Sequence, residues 1–130
     1  MKSFYLLLLL IPTVLMSAAS DDIDKTADLI KQGNIHELAK SFSATVDLTI
    51  MGEENNYPAA RAEQLLDDFF KKNRPQSVSI LHRITSSASY HYGVLILNTA
   101  GEKYRVAFNL RNVKGHFELT ELRIEPEKTK

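Results

Sequence analysis

The chain has 130 residues, 16 Lys+Arg against 16 Asp+Glu, four histidines and no cysteine. Balanced charge gives no general attraction to nucleic acid or to an anionic membrane. The lack of cysteine excludes disulfides, thiolate zinc sites, a cysteine nucleophile and lipid attachment through an N-terminal cysteine.

Met1-Lys2-Ser3, an apolar run from Phe4 to Met16 and then Ser17-Ala18-Ala19 have the pattern of an export leader. The run is short for a bilayer span, which takes roughly 20 apolar residues, and Pro12 interrupts it. Residues 1–19 are expected to be removed. That loses one cation, Lys2, and leaves a soluble domain over residues 20–125 with a polar tail over 126–130. No integral membrane segment remains after processing, and the expected location is a bacterial periplasm or the cell exterior. One core can hold a domain of this length together without staples.

Ser20-Asp21-Asp22 offers capping oxygens and negative charge at a helix start. Ile23, Ala27 and Ile30 follow on one helical face, and Gly33 ends the segment. Asn34, with Glu37 three residues on, predicts a second short helix whose apolar positions are Ile35, Leu38, Ala39 and Phe42. Val46, Leu48 and Ile50 then alternate with polar residues as in a half-buried strand, and Gly52–Asn56 reads as a polar loop. Pro58 suits the first position of a helix. Ala62, Leu65, Leu66, Phe69 and Phe70 form its apolar stripe, with Asp67–Lys71 and Asp68–Lys72 as i, i+4 pairs, and Asn73-Arg74-Pro75 stops it.

The remaining third predicts four strands. The first alternates Val78, Ile80 and Ile84, with His82 interrupting the row. The second, Tyr90–Leu97, is apolar on both phases, as in a strand covered on both faces. The third alternates Tyr104, Val106, Phe108 and Leu110 with polar residues. In the fourth, Phe117 and Leu119 lie on one phase and Leu122 and Ile124 on the other, so a bulge near Thr120-Glu121 is needed to bring all four to one side. The order ααβαββββ is an α+β architecture with helices covering one face of a curved, mostly antiparallel sheet packed on a long helix.

That order, together with Ala62–Phe70, Tyr92-Gly93-Val94-Leu95, Tyr104-Arg105-Val106 and Leu122-Arg123-Ile124-Glu125, resembles the nuclear-transport-factor-2-like superfamily, a cone of sheet closed by a long helix. Within it, the chain is similar to a family of small exported bacterial proteins known as a domain of unknown function (4783), over about Ile23 to Glu125. The resemblance implies a pocket between cone and helices, which members use for isomerase, dehydratase, ligand-binding or dimer-scaffold roles. It transfers no catalytic residue to this chain.

Tyr57, His82, Tyr92 and Tyr104 are the candidate pocket residues, each tyrosine offering an apolar body and a polar tip. His82 reads either as a hydrogen-bonded core imidazole or as a pocket acid–base group near Tyr92 or Tyr104. His82 and His91 can approach across their hairpin, but with His36 and His116 dispersed the histidines do not form a metal set. Arg105, Arg111, Arg123, Lys103, Lys114 and His116 gather near the last hairpin, either as a solvated edge or as a surface for an acidic ligand. Leu81, Leu95, Leu97 and Ala107 are read as the face away from the helices, where a symmetric homodimer would pair. With no convergent nucleophile, acid–base or metal set, the expected role is an exported, non-enzymatic domain, free of cofactor, that binds a small apolar molecule or a protein. The alternative is a cofactor-free isomerase or lyase acting on a small apolar molecule through His82 and the tyrosines.

Overall fold

A computed structural model describes residues 21–128; the expected leader lies outside them. Helix α1 (Asp22–Gln32) begins where the Asp21 carboxylate accepts a hydrogen bond from the Asp24 backbone N–H. It ends at Gly33, whose φ of 68° is the left-handed conformation that closes a helix. Helix α2 (Ile35–Ala39) is capped by Asn34, while the Glu37 side chain pairs with Lys40 instead of completing a capping box. The helix stops at Ala39, and Phe42, expected on its apolar face, opens β1 (Phe42–Ile50) instead.

The polar stretch read as a loop is a strand, β2 (Glu53–Pro58). Met51 (φ 53°) and Gly52 (φ 91°) form a tight turn in which both residues have positive φ, the geometry whose twist suits a hairpin, and Ile50 pairs with Glu53. Nearly all of β2 is exposed, so no apolar alternation marked it. The observed order is therefore ααββαββββ. Helix α3 (Ala59–Lys72) follows, with Pro58 just outside it and Ala62, Leu66 and Phe70 buried at i, i+4 spacing. Strands β3 (Ser77–Ile84), β4 (Tyr90–Asn98), β5 (Lys103–Val113) and β6 (His116–Pro126) complete one sheet, ordered β2-β1-β6-β5-β4-β3. All neighbours are antiparallel except β1 with β6.

Two bulges decide which side chains meet the helices. On β6, Asn109 pairs with Glu121 and Leu110 with Leu119, so Thr120 is the extra residue and Leu119, Leu122 and Ile124 are all buried together. On β3, Ile80 pairs with Leu95 and His82 with Val94, so Leu81 is extra and the phase flips. Val78 and Ile80 pack on the core, whereas His82 and Ile84 are carried to the outer face. The continuous row through His82 is corrected accordingly.

The two-phase strand β4 also resolves differently from the expectation. Leu95 and Leu97 are fully buried under the helices, opposite Val106 and Tyr104. Val94, Ile96 and Ala107 take the outer face with Tyr92. The helix-covered side is a filled apolar core of Ile23, Ile30, Ile35, Leu38, Leu66, Phe108, Leu110 and their neighbours. Among the described residues, no buried side-chain polar atom lacks a hydrogen-bond partner, and no helix is long and apolar enough to cross a membrane.

Candidate functional site

The N-cap and first turn of α1 together carry three carboxylates, Asp21, Asp22 and Asp24, and strands distant in sequence hold each of them. Past the Leu81 bulge, Arg83 points to the helix side and reaches Asp24 at 2.6 Å and Asp21 at 3.2 Å. His91 on β4 places Nδ1 2.8 Å from Asp22 Oδ2, and its ring stacks on Phe117 with centroids 4.3 Å apart. These contacts fasten the start of α1 to β3, β4 and β6. The Arg83 hydrogen bond holds the Asp24 carboxyl below its ordinary value of 3.8. A carboxylate so lowered stabilises the fold at pH above that ordinary value, and the contribution is lost as pH falls through the lower folded value. Arg83→Met is therefore expected to melt below wild type at neutral pH, with the gap closing as pH is taken below 3.8. Thermal melts across that range check it, and a gap that widens in acid would contradict it. The pair is exposed, so the gap should also shrink with added salt.

Beside this fastening lies a cleft of about 610 Å³ between α1, α2 and the β5–β6 hairpin. Leu29, Leu38, Leu110 and Phe117 supply its apolar lining, and Asp22, Lys25, Glu37, Lys40 and His116 are among its polar rim. A second cleft of about 330 Å³ separates α3 from β1 and β2. Tyr57 lines it with Leu48, Ile50, Leu65 and Phe69. Asp68 and Lys72 also line it and are not ion-paired with each other, whereas Asp67 and Lys71 are, at 3.0 Å.

The four pocket candidates separate. Tyr57 lines the second cleft. Tyr104 is buried beneath α3, where its hydroxyl donates to Asn73 Oδ1 at 3.1 Å and Phe69 meets its ring edge-on. Burial, with the Glu102 carboxylate adding to it, raises the Tyr104 phenol. His82 and Tyr92 lie exposed on the outer sheet face, away from both clefts. His91 pairs in register with the core residue Leu110, so it faces the helices and does not meet His82. Sequence reasoning missed Arg83, and it considered His91 only as a partner for His82.

The basic residues near the last hairpin are largely neutralised: Arg105 pairs with Glu127 at 3.0 Å, Arg123 with Glu125 at 3.1 Å and Arg111 with Glu118 at 3.9 Å. Among the described residues, no group of three or more His, Asp or Glu side chains is arranged to hold a metal ion.

Comparison with known proteins places this architecture. A family described as a domain of unknown function (DUF4783) matches residues 23–125. The crystal structure of a DUF4783 family protein from Bacteroides uniformis superposes with a TM-score of 0.78 at 24% identity, covering 84% of this chain and 100% of that one. A DUF4783 family protein from Bacteroides ovatus gives 0.75 at 22% identity, covering 80% and 94%. An NTF2-like protein of unknown function from Shewanella baltica gives 0.62 at 13% identity, covering 82% and 88%. No curated protein is significantly similar to this chain. The helices on one face, the bulged sheet curving around them and the match over most of the chain agree: the chain belongs to the DUF4783 family and has the nuclear-transport-factor-2-like fold.

Proposed function

We propose that the protein is an exported, non-enzymatic binding domain that holds a small apolar or amphipathic molecule in the cleft between α1, α2 and the β5–β6 hairpin. One observation carries this reading. Side chains fill the space between helices and sheet, yet at this end an opening of about 610 Å³ keeps Leu29, Leu38, Leu110 and Phe117 along its lining. Its volume lies within the roughly 300–1,000 Å³ typical of ligand sites, and its apolar floor and polar rim suit an amphipathic guest. The isomerase or lyase alternative depended on His82 meeting the tyrosines inside the cone, and His82 stands on the other side of the sheet.

A second reading has its own support. Ile84 (51% exposed), Tyr90 (49%) and Tyr92 (37%) form an apolar strip across β3 and β4 on the outer face, and paired copies of the sheet would cover it. Native mass spectrometry of protein purified gently from the compartment to which it is delivered tests both. The cleft reading expects a reproducible extra mass that Phe117→Ala loses; a bare mass, or one that Phe117→Ala retains, overturns it. The pairing reading expects a dimer that Tyr92→Lys dissociates, and a monomer at every concentration overturns that.

A further inference from the structure

We propose that the corner where α1 and α3 both end binds a phosphate-type oxyanion. This is independent of the apolar cleft. A cavity of about 200 Å³ opens there, lined by Lys31, Gln32 and Gly33 from the end of α1 and by Asp67, Phe70, Lys71, Arg74 and Pro75 from the end of α3 and beyond. Three cations thus surround one carboxylate, and Asp67 is already held by Lys71 at 3.0 Å. Lys31 and Arg74 have no ion pair among the described residues, so the side chains of the cavity carry more positive than negative charge, an excess that the negative carbonyl ends of α1 and α3 reduce but do not cancel.

Arg74 is the decisive residue. Each of the other described arginines has a side-chain partner: Arg61 bonds Gln64, Arg83 holds Asp21 and Asp24, and Arg105, Arg111 and Arg123 pair with glutamates. Arg74 has none among the described residues, although its planar fork is suited to two oxygens of one anion. Lys31 and Lys71 sit in the last turns of their helices, where cations complement the negative helix ends. That accounts for the lysines without a ligand. It does not account for Arg74, which lies past the end of α3. The cavity is about a third the volume of the apolar cleft, a size for a compact oxyanion group.

Inorganic phosphate titrated at constant ionic strength, followed by backbone amide NMR shifts, tests the site. Saturable shifts are expected at Gly33, Lys71 and Arg74. Arg74→Gln should weaken binding by about ten-fold or more, the usual consequence of losing a charge-assisted pair. Lys31→Gln should weaken it as well, and Lys114→Gln, at the distant β5–β6 turn, should not. Because Arg74 is exposed and unpartnered, the melting temperature of Arg74→Gln should match wild type. Shifts that never saturate, or that survive in Arg74→Gln, overturn the proposal. Sedimentation with phosphatidylglycerol vesicles, against phosphatidylcholine, then separates two sources of the same chemistry. Vesicle binding lost in Arg74→Gln identifies a lipid headgroup; saturation by phosphate without vesicle binding identifies a soluble phosphate compound. Both support the site.

Discussion

Phe108→Ala is expected to lower the unfolding free energy by about 3–5 kcal/mol, the usual cost of emptying a fully buried aromatic position. Phe108 is fully buried on β5, with Gly93 of β4 on one side in register and Leu122 of β6 on the other. Its ring reaches across the strand toward the space above Gly93, close to Ile23 of α1. It therefore joins the sheet centre to the first helix, and no neighbour can refill its volume without moving a strand. For a domain of this size, the loss corresponds to a fall in melting temperature of roughly 12–30 °C. Phe69→Ala, on the half-buried flank of α3, should cost clearly less because that ring already meets solvent. Urea titrations of both variants, compared at equal slope, check the ranking. Equal losses would mean that the core is not centred on β5.

Why some of this was legible before the structure and some was not comes down to the signal each residue carries. The β6 bulge at Thr120 was readable because the apolar phase changes within one strand, from Leu119 to Leu122. The β3 bulge at Leu81 was hidden, because the extra residue is itself apolar and Val78, Ile80 and Ile84 still look like one row. His82 in that row is the one sign of a flip, and a lone histidine reads equally as a core imidazole or a pocket group, neither of which predicts the outer face. Strand β4 is apolar on both phases, so its own sequence could not tell which phase the helices cover. Strand β2 has almost no buried residue and depends on the Met51-Gly52 turn and its pairing with β1. The fastening of α1 was invisible for another reason. Arg83 and His91 lie about 60 to 70 residues from their carboxylates, and local spacing carries nothing over that range. The fold was thus readable from hydrophobic periodicity, whereas the clefts depend on strand phase and long-range pairs.

Gly93→Ala is expected to destabilise the protein by about 1–3 kcal/mol, the range for overpacking a close-packed core. Alanine normally suits a strand better than glycine, since it reduces the freedom of the unfolded chain without loss of native geometry. Gly93 has no left-handed backbone requirement, so conformation alone would favour alanine there. Space reverses the sign. A Cβ at Gly93 would lie 2.6 Å from Phe108 Cζ and 2.9 Å from its Cε1, closer than carbon atoms approach, with Ile23 Cγ2 at 3.2 Å behind. The ring cannot swing away, because it is the fully buried side chain on which the sheet centre packs. Gly101→Ala is the control: nothing lies within 4 Å of its added Cβ, and the substitution should be neutral or slightly stabilising. The double variant separates crowding from any other effect of the methyl group. Phe108→Leu removes the ring edge that the new Cβ would strike, so Gly93→Ala should cost far less in that background, with a coupling of about 0.5–3 kcal/mol. Additive losses would mean that the methyl is resisted by something other than Phe108, and Ile23 would then be the residue to shorten.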